Sequence, residues 1–216
     1  MSPRLSSRLW RHHLPLGIIA SLSAWALYVT RPYPDVVSRL SFATAYPALA
    51  LLALTLAVRP WRTLQGKPAV LSLDLRRDIG IWAGIIGVAH AVIGQCVHLR
   101  GRPWLYYVYE KKEQHLFPLR HDMFGAANFT GLAAALILLA LLCMSNDASL
   151  RKLGAPQWKG WQRWNYACFG ITALHCFFYQ LGVESQKLPF VIAAGLCIAT
   201  TAALQGVGWR RRASLL

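Results

Sequence analysis

Six apolar runs divide the chain, and most are bounded by basic residues or proline. The first spans roughly residues 14–30 and stops at Arg31-Pro32-Tyr33-Pro34; the second spans 41–58 and closes at Arg59-Pro60. The others cover about 79–99, 123–145, 164–181 and 188–209, the last closed by Arg210-Arg211-Arg212. A helix needs about 20 residues to cross the ~30 Å hydrocarbon core, so each run predicts one spanning helix. The pattern predicts an all-α integral membrane protein. It comprises a six-helix transmembrane bundle over residues 14–209, an N-terminal segment over 1–13 and a basic tail over 210–216. Arg4, Arg8 and Arg11, then an apolar run and Ala24-Trp25-Ala26, have the look of a secretory signal. The apolar run continues past that point and exceeds a signal core, so it is read as a retained helix.

Composition agrees with this pattern. Of 216 residues, 56% are hydrophobic and 14% charged, against ~25% charged in a soluble domain. The length leaves no room for a separate nucleotide-binding module, and no Gly-x-Gly-x-x-Gly stretch follows a strand-like run. The net charge of +15 comes from residues that punctuate apolar runs. It is read as topology signalling plus attraction to anionic lipid, not as a nucleic-acid face. Fifteen of the 23 basic residues fall at the N-terminus, in the second and fourth loops and at the C-terminus. That bias predicts both termini on the cytoplasmic side. The third loop runs against it, with Arg100, Arg102, Lys111, Lys112 and Arg120 partly offset by Glu110 and Glu113. The five cysteines, Cys96, Cys143, Cys168, Cys176 and Cys197, form no Cys-x-x-Cys pair and are odd in number. They are read as small packing residues, not as a disulfide framework or zinc site.

Two histidines change the picture. His90 lies 14 residues after Arg76 and His175 lies 12 after Arg163. At ~1.5 Å per residue, these offsets are roughly 21 and 18 Å from the same membrane boundary. An ionisable side chain at that depth is costly and normally has a buried task. Two imidazoles at matched depth on the third and fifth helices predict one metal held between them, in a bilayer the iron of a b-type haem. The alternative is that each ring is structural, hydrogen-bonded to a neighbouring helix of a non-redox membrane protein. Gly80, Gly84, Gly87 and Gly94 share one flank of the third helix, which suits a flat macrocycle or close helix packing.

The remaining polar residues carry weaker signals. His12, His13, His115 and His121 are read as solvated or interfacial, with His98 a reserve ligand. Trp158, Trp161, Trp164 and Tyr166 read as an aromatic belt. Arg76 and Arg77, with Arg151 and Lys152, read as topology determinants and as candidates for a flavin phosphate or haem propionates. No acid is expected deep in a helix, which argues against a hydrolase or a proton-driven transporter.

At these residues the chain resembles the ferric-reductase-like transmembrane domain family. The stretch Arg76-Arg77-Asp78-Ile79-Gly80-Ile81-Trp82 followed by His90 is similar to that family's basic pair, Gly-Leu-Trp-type entry and haem-ligand histidine. Ser145-Asn146-Asp147, Leu150-Arg151-Lys152-Leu153-Gly154, Trp158, Tyr166 and His175 resemble the connection into its fifth helix. The resemblance covers roughly residues 41–205. In size the chain is most like the MsrQ-type haem-binding subunits, which lack a fused flavin and nicotinamide domain.

The resemblance implies His90 and His175 as axial ligands of haem b between helices three and five. Family members usually carry another histidine 13 residues before the last one; here it is Gln162, and Arg76 stands 14 residues before His90. One haem, toward the outer half, is therefore expected. FMN, FAD or quinol is left to supply electrons across the inner half. The implied role is an electron-transfer subunit of an oxidoreductase in the bacterial inner membrane. A flavin reductase or quinol would be the donor, and a periplasmic methionine-sulfoxide reductase or a ferric chelate the acceptor. The long third loop, with Trp104-Leu105-Tyr106-Tyr107-Val108-Tyr109, reads as a docking element or lid.

Overall fold

The computed structural model describes residues 7–31, 33–66, 73–99, 101–184 and 186–213. Arg4, Pro32, Arg100 and the end of the basic tail, all used in the reading above, lie outside the described residues. A π-helical turn, Leu9–His13, leads into α1 (Leu14–Thr30). There follow α2 (Val36–Leu64), α3 (Leu73–Gly94), α4 (Met123–Met144), α5 (Asp147–Gln162), α6 (Trp164–Phe177) and α7 (Leu188–Ala213). A π-helical stretch, Phe178–Val183, extends α6. Six of the resulting helical segments are long and apolar enough to cross a membrane, as the hydropathy pattern predicts. No β-strand forms among the described residues, only an isolated bridge between Val108 and Leu119.

The central helix is α2. It buries Phe42, Leu49, Leu52, Ala53, Thr55 and Leu56 and packs mainly on α3 and α7, with α1 alongside. Asp35 caps its start by accepting from the Ser38 amide at 3.0 Å. The helix begins five residues before the expected start and passes Pro60 to end at Leu64. A proline in a helix removes the donor for the carbonyl four residues earlier, here that of Leu56. Gln205 of α7 replaces it, its Nε2 donating to Leu56 O at 2.6 Å. Arg76 Nε donates to the adjacent Thr55 carbonyl at 3.0 Å. Replacing Gln205 with leucine is expected to destabilise the bundle by about 1–2 kcal/mol, since it leaves a buried carbonyl unsatisfied. Thermal unfolding in detergent tests this; an unchanged midpoint would mean that α2 tolerates the gap.

The third span is shifted against the expected 79–99, and the cause lies in the long loop. Tyr106 is wholly buried. Its hydroxyl accepts from the amides of His98 (2.8 Å) and Leu99 (3.3 Å) and donates to the Gly94 carbonyl (3.2 Å). The chain after Gly94 therefore winds around a phenol and does not continue as helix. His98 consequently sits in this turn and not on α3. The earlier start places Asp78 inside α3, fully buried but only five residues from the start of the helix, near the end of the span and not deep within it. Asp78 pairs with Arg8, and its carboxylate lies 2.7 Å from His12 Nδ1 and 3.2 Å from His13 Nε2. The two N-terminal histidines stay partly exposed, as an interfacial position implies, and also pin the first segment onto α3.

The glycine flank of α3 mostly serves close packing. A β-carbon at Gly84 would lie 3.1 Å from Leu142 of α4, and one at Gly87 would collide with Leu138. Between α4 and α6 the chain forms a separate amphipathic helix, α5, which hydropathy alone did not reveal. It breaks at Gly154, whose φ of 71° suits glycine alone. Trp158 ties it back by donating to Met144 O at 3.0 Å. Trp161, Trp164 and Tyr166 stay exposed, consistent with an interfacial belt.

Candidate cofactor-binding site

A cavity of about 390 Å³ opens between α2, α3, α4 and α6, toward the end of the bundle that carries the long loop. This falls in the ~300–1,000 Å³ range of small-molecule and cofactor sites. Its wall is mostly apolar, with His90 and His175 entering from opposite sides on α3 and α6. His90 is four residues from the end of α3, about 6 Å along the axis. The pair therefore lies closer to the long-loop end than matched depth alone indicated.

The two rings have centroids 6.4 Å apart and planes inclined at 72°. A metal–imidazole bond is about 2.0–2.1 Å, and a ring nitrogen lies about 1.1 Å from its centroid. Two imidazoles flanking one metal ion therefore put their centroids about 6.3 Å apart. Both rings are also held in the matching tautomer. His90 Nδ1 is 3.0 Å from the Ser41 carbonyl and 3.3 Å from Thr44 Oγ1. His175 Nδ1 is 2.8 Å from the Ala127 carbonyl. A carbonyl only accepts, so each Nδ1 carries the proton and each Nε2 keeps its lone pair. Orientation by a backbone carbonyl on the far nitrogen is the usual support of a metal-bound histidine.

His175 reaches its carbonyl because residue 131 has no side chain. A β-carbon at Gly131 would lie 2.7 Å from His175 Nδ1 and 2.8 Å from Cε1. One turn beyond His175, Tyr179 packs on its ring at 5.0 Å and donates to Asn128 Oδ1 at 3.1 Å. Asn128 in turn donates to the Phe124 carbonyl at 2.7 Å. The π-helical stretch after α6 contributes Tyr179 and Gln180 to the wall, and Gln180 Nε2 donates to Tyr46 OH at 3.1 Å. The long loop supplies Tyr107, which donates to Gln95 Oε1 at 3.1 Å. Burial raises its phenol above the ordinary value despite that bond, so it stays a neutral donor. His98, the reserve ligand, points to Glu184 at 3.2 Å and stacks beside Tyr179.

The structure brings His90 and His175 together and leaves Arg76 and Arg77 elsewhere. Arg76 is bonded to α2, as above. Arg77 donates to Ser145 O at 3.2 Å and pairs with Asp147 at 2.6 Å. Neither lines the cavity. Gln162 is near the start of α6, and its buried Nε2 has no hydrogen-bond partner among the described residues. Ser41, Ala127 and Gly131 escaped the sequence reading, because a backbone carbonyl or a missing side chain leaves no chemical signature, and Thr44 and Tyr179 did so because ordinary polar and aromatic residues gain their role only from the packing. Among the described residues no group of three or more His, Cys, Asp or Glu is placed to hold a metal ion. His90 and His175 alone would suffice for a metal whose other ligands arrive with it, as in a haem.

The haem-binding subunit MsrQ of the protein-methionine-sulfoxide reductase of Bordetella pertussis is 27% identical over 164 residues, 75% of this chain and 68% of that protein. MsrQ of Pectobacterium atrosepticum is 28% identical over 152 residues, 70% of this chain and 69% of that protein. The magnetosome protein MamZ of Magnetospirillum gryphiswaldense is 27% identical over 152 residues, 70% of this chain but 21% of that protein. No family model and no solved structure matches the chain.

Proposed function

The chain is MsrQ-like along about three quarters of its length, and from that premise we propose that it is a membrane-bound b-type cytochrome. In this reading His90 and His175 are the axial ligands of one haem b held between α3 and α6. The electrons pass to a periplasmic oxidoreductase partner of the methionine-sulfoxide reductase kind. The observation that carries the reading is the pair of imidazoles, 6.4 Å apart, with both Nδ1 atoms on backbone carbonyls and, among the described residues, no hydrogen bond on either Nε2. Haem, when bound, carries one electron at a time between its ferrous and ferric states.

The chain's own part is to orient the two rings, exclude water with a mostly apolar wall and set the potential through burial and the carbonyl contacts. Both termini belong on the cytoplasmic face of the inner membrane in this reading, following the bias of basic residues. Arg76 and Arg77 then lie on the cytoplasmic side. There they anchor helices and attract anionic lipid, beside the place where a flavin reductase or quinol would deliver electrons.

Gln162 and Arg76 occupy the positions where a second haem would need imidazoles. Pyridine haemochrome against protein concentration is therefore expected to give about one haem per chain. A value near two would overturn the single-haem reading. No haem after expression with ample supply would return both histidines to a structural role.

A further inference from the structure

Besides the two facing imidazoles, the cavity wall holds an acid–base pair. His98 Nε2 lies 3.2 Å from Glu184 Oε1, and both side chains line the cavity. His98 sits in the turn that follows α3. Glu184 closes the π-helical stretch after α6, its amide donating to Tyr179 O at 2.8 Å. The pair thus bridges the ends of the two helices that carry His90 and His175. The two side chains are 31% and 25% exposed, so a proton reaches them without crossing a packed core.

Among the described residues no arginine, lysine or aspartate lines that wall, and Glu184 is its only carboxylate. Tyrosine and cysteine ordinarily ionise at about pH 8.5 or above. Apart from His90 and His175, His98 and Glu184 are therefore the wall side chains that ordinarily change charge between about pH 4 and 8. The groups facing His98 are Glu184 and Tyr179 of the π-helical stretch, Tyr106 of the long loop and Phe124 of α4. Arg120, the cation against Phe124, is paired with Asp122. Tyr179 joins the pair to the imidazole site: its ring centroid is 6.4 Å from that of His98 and 5.0 Å from that of His175.

We propose that the His98–Glu184 pair is a proton-binding site coupled to the electron held in this cavity. The assignment rests on the haem reading above and adds to it the group that balances charge. An electron that converts ferric to ferrous iron lowers the charge of a mostly apolar enclosure by one, and uncompensated charge is costly there. One proton from the aqueous phase at the long-loop end binds the His98 imidazole and restores the balance. The Glu184 carboxylate holds the imidazolium, and no other bond forms or breaks. When the electron leaves for the acceptor, the proton returns to water. Unit charges about 10 Å apart at an effective dielectric of about 20 change proton affinity by about tenfold.

The test is a potentiometric titration of the haem-loaded full chain in detergent, read on the low-spin b-type band at pH values from about 5 to 9, the range that brackets imidazole titration. The ferrous state binds the proton more tightly, so the wild-type midpoint should fall as pH rises. The whole fall should be about 59 mV, the one-electron equivalent of tenfold. His98→Gln should make the midpoint independent of pH while keeping the band. Glu184→Gln should keep the fall but move it to lower pH, because the imidazolium loses its carboxylate; this variant decides alone if His98→Gln does not fold. A wild-type midpoint constant across the range would overturn the proposal. An undiminished fall in His98→Gln would also overturn it and place the proton elsewhere, on a porphyrin carboxylate for example. So would a Glu184→Gln curve that coincides with the wild type. A wild type without a low-spin band would reject the haem reading itself, a distinct outcome.

Discussion

Substituting alanine for either His90 or His175 is expected to remove the sharp low-spin b-type band from the dithionite-minus-oxidised spectrum of the purified protein. The effect should be near-complete for both positions, because in the proposed reading each ring would supply one of the two protein ligands to the iron, and the third imidazole in the cavity wall is held elsewhere. His98, the nearest alternative, is engaged with Glu184 at 3.2 Å. The alanine variants should still fold. His90 loses its Nδ1 contacts to Ser41 O and Thr44 Oγ1, and His175 its bond to Ala127 O, a net loss of about 0.5–1.5 kcal/mol per bond. A full low-spin band in His90→Ala would remove that residue from the site, and the same holds for His175→Ala. Residual absorbance of high-spin character in one variant would agree with five-coordinate iron on the remaining histidine.

Gly131 should show the next largest effect, although it bears no functional group. An alanine β-carbon there would sit 2.7 Å from His175 Nδ1 and 2.8 Å from Cε1, well inside contact distance. The ring must tilt or leave the Ala127 carbonyl. Losing the group that orients a metal-bound imidazole typically costs 10–100-fold in affinity. Gly131→Ala is therefore expected to weaken haem binding by about that factor, and Gly131→Val by more. Gly170, on α6 below His175, has nothing within 4 Å of its missing β-carbon. Gly170→Ala should then bind haem like the wild type, which separates the steric argument from a general effect of removing glycine. Titration of haem-free protein, followed in the Soret region, decides it. Equal affinity in Gly131→Ala and wild type would mean that α4 does not set the position of the His175 ring.

The spans were legible in the sequence because burial in lipid demands long apolar runs whatever their neighbours do. Hydropathy therefore located six spanning helices, and ionisable side chains inside two of them singled out His90 and His175. The family resemblance drew on the same residues and their motifs. Helix ends were less accessible. The α3 boundary depends on Tyr106, 12 residues beyond Gly94, whose hydroxyl takes over the backbone groups at the end of that helix. The same shift brought Asp78 into the bundle beside Arg8, His12 and His13, a contact made across some 65 to 70 residues of chain.

Local pattern along the chain thus determined the membrane class, the number of spans and the two histidines, since each follows from the cost of placing a given side chain in hydrocarbon. Only the tertiary structure decided how those histidines are presented. Their 6.4 Å separation, the carbonyls that set their tautomers and the space left by Gly131 come from helices packed side by side. Carbonyls and absent side chains are identical in every sequence context; their meaning arises only from what the fold brings against them.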